Sequence, residues 1–464
     1  MEIDCRIFTK EKIWKALLKF SFPAMLALLI IELYSMVDTI FLGIKAGPAA
    51  IGALTIAFPV QRLMSSLGMM VAVGASTACS RSLGSNNHKK LKGVIKNSIN
   101  ITIIIMVVLT CIMLIFKKQV IIGVLGASSN IYPLSEKYIS IVIFGGVFQA
   151  LTLVFCYIMT AMGDTKITLK ANGLGALLNI FIDYILVINL SFGVEGAAIA
   201  TVGSQIIAFI YAFIKMKKNV ELNIEFSIEG KIVKNILAVG LSTFIVEVSD
   251  AIVAIILNNL LASYGGDTAL IMVGVTTKIS MFLFVTVIGI SSSMQPIAAF
   301  NYGAKKIKKI IKVVKITVIF ATIATLILWV LMFIFSYPII GSFLKDKSLL
   351  NDSVRAFRIV ILVFPIISIY YISIYYYQAI GKAKSSFLLS IYRQIIIFIP
   401  ILFLLLNKFG ILGAWIAYPV SDIISAFTGI VYLRYGLRKI KKSNNEDVLE
   451  ERRKLKLKIE STTM

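Results

Sequence analysis

From Ile99 to Phe116 the chain carries no charged side chain, and Ile395 to Leu406 is wholly apolar. Runs of this kind constrain the fold more than any other feature of the sequence. They must face lipid or one another, and in hydrocarbon every backbone N–H and C=O has to be satisfied within its own segment, which selects α-helices. A spanning helix needs about 20 mostly apolar residues. Twelve segments qualify, at residues 20–42, 49–75, 97–116, 138–160, 171–189, 195–214, 236–263, 269–298, 316–336, 359–379, 386–406 and 412–433. With 58% hydrophobic and 15% charged residues, the chain is expected to be an all-α integral membrane protein.

The twelve spans divide into two sets of six. Phe192-Gly-Val-Glu-Gly-Ala-Ala-Ile-Ala-Thr201 returns as Phe409-Gly-Ile-Leu-Gly-Ala-Trp-Ile-Ala-Tyr418, 217 positions later and with six of ten positions identical. Ala161-Met-Gly-Asp-Thr-Lys166 returns as Ala379-Ile-Gly-Lys-Ala-Lys384 at an offset of 218, and Gly84 with Lys89-Lys90 returns as Gly303 with Lys308-Lys309 at 219. Six spans is an even number, so the second bundle enters the membrane from the same side as the first. The repeats are parallel, related by an axis along the membrane normal, a plan common among secondary transporters. The expected organisation is an N-terminal six-helix lobe (1–220), an interlobe linker (221–235), a C-terminal six-helix lobe (236–435) and a basic tail (436–464). The tail is polar from Asn444 to Glu460, a composition read here as a mobile solvated segment, with a charged helix as the alternative.

A formal charge of +24 raises nucleic acid as a partner, but the placement of the charge argues against it. Of the 47 lysines and arginines, 35 fall at one set of alternate connections and termini, 9 at the opposite set and 3 inside spans. Excess Lys and Arg mark the cytoplasmic side, so both termini are expected inside the cell membrane, with attraction to anionic lipids as a secondary consequence. No short apolar core precedes a small-residue cleavage site, so the first span is expected to act as an uncleaved insertion signal. Cys5, Cys79, Cys111 and Cys156 have no metal-binding or CxxC spacing and read as reduced packing residues; the sole histidine, His88, lies in a basic loop. No cofactor is expected, and a nucleophile, metal or histidine constellation for enzyme chemistry is lacking.

Ionisable groups inside spans are costly enough that each is a functional candidate. They are Glu32 and Asp38 in the first span, Asp183 in the fifth, Glu247 and Asp250 in the seventh and Asp422 in the twelfth, with Arg62, Lys278 and Arg393 as the cations. Asn179 and Asp183 are spaced i, i+4 and share a helix face. If spans one, five and six converge, Asp38, Asn179, Asp183 and Thr201 offer oxygen ligands around two carboxylates, suited to Na⁺ or a shared proton. The alternative is that Asp183 binds backbone at a helix end and Asp38 pairs with a lysine near the rim. The duplication discriminates between lobes here: these four positions map near Leu257, Ile397, Ile401 and Tyr418, so the second bundle lacks the set. Glu247 and Asp250 share a face and are read as meeting a cationic substrate or a second proton, or as pairing with Lys278; Asp422 is read as a packed polar contact. The aromatic run Tyr370, Tyr371, Tyr375, Tyr376 and Tyr377 beside Gln378, with Met64, Met69 and Met70, would suit flat lipophilic cations, or serve as packing and interface belting. Prolines within spans, including Pro23, Pro59, Pro296, Pro365, Pro400 and Pro419, are expected to bend helices.

Pro23 followed by Val37-Asp38-Thr39-Ile40-Phe41-Leu42-Gly43, the Asn179 to Asp183 pair before Tyr184, Gly196-Ala-Ala-Ile-Ala-Thr201 and Asn301-Tyr302-Gly303-Ala304-Lys305 together resemble the multidrug and toxic compound extrusion (MATE) transporters, over about residues 10 to 435. The resemblance implies two six-helix lobes forming a V-shaped cleft and export of small lipophilic organic cations in exchange for Na⁺ or H⁺. It also implies that Asp38, Asn179, Asp183 and Thr201 form an N-lobe cation site, with Tyr138 a weaker match, and that Pro23 is where the first helix bends. Some family members carry an acidic residue in the tenth span, whereas residues 355–379 contain none, so an ion site of that kind in the second lobe does not carry over. The functional expectation is a monomeric alternating-access antiporter. A flippase for lipid-linked sugars would need cationic groups in its cleft for pyrophosphate, whereas the charges inside these spans are mainly acidic. A channel fits poorly with a two-lobe duplication whose carboxylates are placed asymmetrically.

Overall fold

The computed structural model describes residues 6–220, 228–342, 344 and 347–462. Cys5 and positions 221–227 of the expected linker lie outside the described residues. Eleven helices long and apolar enough to cross a membrane are present among those described, and a bent pair makes a twelfth. We number them α1 (Ile13–Ala46), α2 (Ala49–Gly84), α3 (His88–Ile115), α4 (Tyr132–Ala161), α5 (Ile167–Asn189), α6 (Gly193–Asn219), α7 (Gly230–Leu261), α8 (Thr268–Gly303), α9 (Ile307–Ile334), α10 (Leu349–Val360 with Phe364–Ala379), α11 (Ala383–Phe409) and α12 (from Ile411).

Many helices outrun the expected spans. At about 1.5 Å per residue, a helix the length of α2 exceeds a hydrocarbon core of about 30 Å, so its end projects into water. Thus α2 runs on past position 75 to Gly84, and α3 begins before 97 at His88. The start of α3 is fixed by the Asn87 side chain, which accepts a hydrogen bond of 2.9 Å from the Lys90 backbone N–H. These projections carry Lys89, Lys90 and Lys92, so the end of the bundle holding them is called the basic face.

The expected solvated tail is instead helical. The last helix continues from Ile411 to Thr462, because residues 446–460 are rich in Glu, Lys, Arg and Leu, all strong helix formers. Among the prolines expected to bend helices, Pro23 lies inside an unbroken helix from Ile13 to Ala46, and Pro365 stands at a sharp bend. The sharp bend lies in α10, whose halves meet at 48° where Pro365 opens the second half. A proline lacks the N–H that would continue the ladder and disfavours helical geometry in the residue before it. Two further irregularities are π-helical turns, Tyr184–Asn189 at the end of α5 and Tyr392–Phe398 within α11.

Helices α1–α6 and α7–α12 form the two lobes, and one end joins them. A continuous apolar core runs through both lobes at the basic face, from Phe8 and Phe20 to Phe300 and Ile310. Away from that face the first lobe has a separate core of its own, from Leu42 and Ala53 to Val187 and Ala198. The lobes therefore converge at the basic face and part towards the other, leaving a cleft. Glycines let the lobes approach closely. A Cβ at Gly84 would collide with the Phe300 carbonyl oxygen, and one at Gly303 with that of Arg81. Beside this crossing, Arg81 Nη1 donates to the carbonyls of Gln378 (3.2 Å) and Ala379 (3.0 Å), tying α2 to the end of α10. Large apolar side chains such as Ile44, Leu177 and Phe427 stand more than two-thirds exposed on the outside, as a lipid-facing wall requires.

Candidate cation sites within the membrane

In the first lobe, four helices bring Asp38 (α1), Tyr138 (α4), Asn179 and Asp183 (α5) and Thr201 (α6) into one buried cluster. The carboxyl groups of Asp38 and Asp183 face each other within hydrogen-bonding reach. Asp183 is the last regular α-helical residue of α5, and the π-helical turn begins immediately after it. Such turns widen a helix locally and occur often at functional positions. Thr201 Oγ1 donates 2.9 Å to the Ala197 carbonyl of its own helix, which leaves its lone pairs free to accept. The Tyr138 hydroxyl lies beside Thr201 and accepts 3.1 Å from Gln61 Nε2 of α2.

Several polar atoms of this cluster have no protein partner. Asp38 Oδ1, both Asp183 carboxylate oxygens and both amide atoms of Asn179 are buried without a hydrogen-bond partner among the described residues. Each unsatisfied buried polar group costs about 1–3 kcal/mol, more when charged. The backbone partner considered for Asp183 and the rim lysine considered for Asp38 are therefore not what the structure holds at these atoms. Two facing carboxylates repel unless a proton or cation lies between them. Oxygen ligands on a hard monovalent cation or a shared proton both answer this donor set. Among the described residues, no group of three or more His, Cys, Asp or Glu is arranged to hold a metal ion.

The second lobe treats its charges differently. Arg393 of α11 donates from Nε (3.0 Å) to Asp422 of α12, with Nη2 also 3.0 Å away. The side chains are only 6% and 2% exposed. The guanidinium also donates 3.3 Å to the Tyr371 hydroxyl and stands over the rings of Phe284 and Tyr371. Asp250 accepts a hydrogen bond from Gln394 Nε2. Glu247 instead reaches across the cleft to Arg62 of α2, 3.9 Å away, and the same arginine is 3.5 Å from Glu32 of α1. Glu247 and Asp250 thus have Arg62 and Gln394 as partners, and Lys278, the cation considered for them, is exposed.

Tyr370 and Gln378 stand apart from the cleft acids. The Tyr370 hydroxyl donates to the Leu389 carbonyl and accepts from the Arg393 N–H, 3.2 Å away. Gln378 is enclosed by hydrogen bonds to Gln295 (2.6 Å), Ser242 (2.7 Å) and Thr243 (3.0 Å), joining α8, α10 and α7. Gln61 was missed by sequence reasoning, although an amide one residue from Arg62 inside an apolar span was the available signal.

A sequence model of the MatE family matches the chain twice, over residues 23–185 and 240–404. The chain belongs to the MATE family. The two matches fall one in each lobe, as the internal duplication requires. Among MATE relatives, the chain is 26% identical to the multidrug export protein MepA of Staphylococcus aureus strain bovine RF122 / ET3-1, covering 92% of this chain and 95% of that protein. It is 25% identical to MepA of Staphylococcus saprophyticus with the same coverage of both. A MATE crystal structure in complex with MaL6 superposes with a TM-score of 0.89 at 23% identity, covering 95% of this chain and 100% of that one. The MATE architecture of twelve helices in two lobes is thus shared.

Proposed function

We propose that this MATE protein is a multi-pass cell-membrane antiporter that exports lipophilic cationic drugs in exchange for Na⁺ or H⁺ by alternating access. The buried, unpartnered pair Asp38 and Asp183 carries this reading, in one lobe beside a cleft lined by Glu32, Glu247 and Asp250. The multidrug export in the names of the staphylococcal relatives supports the drug as cargo. The lysine-rich basic face supports a cytoplasmic position for the joined end, so that the cleft opens outward.

In this reading a cation from outside neutralises the Asp38–Asp183 pair and stabilises the state that releases drug. Drug and ion favour opposite states, and exchange follows from that difference in affinity rather than from direct displacement. The contact between the two carboxyls favours a proton. The unpartnered oxygen of Asn179, with the Thr201 hydroxyl nearby, favours Na⁺.

Purified protein in liposomes, loaded with a fluorescent lipophilic cation, tests this under separately imposed Na⁺ and pH gradients. One gradient should drive efflux, and Asp38→Asn should abolish that drive while the protein still inserts. Efflux indifferent to both gradients, or undiminished in the variant, would overturn the assignment.

A further inference from the structure

Arg62 is the one described cation seated between acids of both lobes. Its guanidinium lies 3.5 Å from Glu32 in its own lobe and 3.9 Å from Glu247 in the other. Both contacts are long and each uses one nitrogen, in contrast to Arg393, which sets two nitrogens 3.0 Å from one Asp422 oxygen. All three side chains are about a third to two-fifths exposed, so the bridge stands in the cleft rather than in packed core. One helical turn before it, the Phe58 ring lies 5.0 Å from the guanidinium, and Phe58 is itself half-exposed. Tyr157 and Tyr375 lie close enough to Glu247 to feel its charge. The place thus offers two carboxylates, aromatic faces and a positive group already resting on them.

We propose that Arg62 is a tethered stand-in for the transported cation. A lipophilic organic cation takes its place on Glu247 and on the surrounding aromatic faces, while Arg62 retains Glu32. This deepens the drug-export reading above and rests on it. Two acids against one arginine leave a single negative charge, so one monovalent cation is accommodated and an uncharged solute gains nothing from the exchange. Because the contact given up is one that crosses the cleft, cargo binding also removes a side-chain tie between α2 and α7, whose backbones still meet where a Cβ at Gly240 would collide with the Met70 carbonyl oxygen. Occupancy is thereby linked to the freedom of the lobes to rearrange, without the drug touching Asp38 or Asp183.

The experiment measures equilibrium binding of radiolabelled tetraphenylphosphonium to purified protein, with triphenylphosphine oxide as the uncharged control. Arg62→Gln removes the competitor, so the phosphonium should bind about threefold or more tightly, with the neutral control unchanged. Glu247→Gln should weaken phosphonium binding, and Arg62→Gln should tighten binding less in that background than in the wild type. Arg62→Lys keeps the charge and should return most of the competition, which separates the proposal from a general loosening of the fold. Unchanged or weaker binding in Arg62→Gln, or equal tightening for the neutral control, would overturn the tethered-cation assignment while leaving transport intact. If the wild-type protein neither binds the phosphonium nor pumps it under either gradient, the export reading has failed and this one falls with it.

Discussion

The two lobes bury charge between their fifth and sixth helices in opposite ways. Between α5 and α6 the first lobe holds Asp183, Asn179 and Thr201, with Asp38 added from α1, and leaves five of their polar atoms unpartnered among the described residues. Between α11 and α12 the second lobe holds Arg393 and Asp422 as a closed ion pair. The scaffold beneath is the same. At the offset of 218, Arg393 and Asp422 correspond to Gly175 and Ser204, and a Cβ on Gly175 would rest 3.7 Å from the Ser204 carbonyl. Where one lobe has a permanent guanidinium the other has a glycine, with Asn179 one turn and Asp183 two turns further along α5. A carboxylate with a built-in counter-charge is insensitive to the ions around it, whereas one without must take its counter-charge from solution. The duplicated frame is common to both lobes, and the coupling ion proposed above is assigned to the one that lacks the arginine.

That contrast should appear first in stability. Arg393→Met leaves Asp422 buried without its partner and is expected to destabilise the protein by about 3–5 kcal/mol, read by thermal or denaturant unfolding in detergent. The double variant Arg393→Met with Asp422→Leu should recover most of the loss, since an apolar pair of similar size often replaces a buried ion pair without cost. A double variant as unstable as the single would mean that the arginine serves other partners, with Tyr371 the first suspect. Next in size is a control on what the lobes still share. Gly84→Ala and Gly303→Ala each force a methyl group into a facing carbonyl, and each is expected to cost about 1–3 kcal/mol. Unequal losses would show that the interlobe crossing has diverged as the sites have. The smallest effect has the opposite sign: Asp183→Asn removes one of two repelling carboxyls and should raise stability by about 1 kcal/mol while abolishing gradient-driven efflux. A loss of stability there, comparable with that of Arg393→Met, would erase the distinction between the lobes.

The sequence made the architecture readable because its strongest signals are local. Apolar runs identify spans regardless of tertiary packing, and the repeat from Phe192 to Thr201 at Phe409 to Tyr418 pairs the lobes. The convergence of Asp38, Asn179, Asp183 and Thr201 was legible for a related reason: polar residues in lipid-spanning helices turn inward, and i, i+4 spacing fixes a shared face. Which cation meets which acid was not legible. Six acids and three cations lie inside the spans, and partner choice depends on the rotation of each helix about its axis, which only packing determines. Hence Lys278 read as a partner for Glu247, where Arg62 from the other lobe occupies that role. Gln378 was misleading for a similar reason. Its amide reads as a polar group available to the cleft, but three neighbours on two other helices consume it. The π-helical turn after Asp183 has no composition signal, since Tyr184 to Asn189 would fit an ordinary helix equally well.

Position 84 meets position 300, and position 303 meets position 81; at an offset of 219 these are one contact seen from its two ends. A contact that pairs i with j and j with i is isologous, the kind that two identical chains make about a two-fold axis. In a pair of identical chains any change at the glycine would strike both ends of the contact at once. In this single chain positions 84 and 303 are encoded separately, so each end varies alone, as do the buried charges of the two lobes.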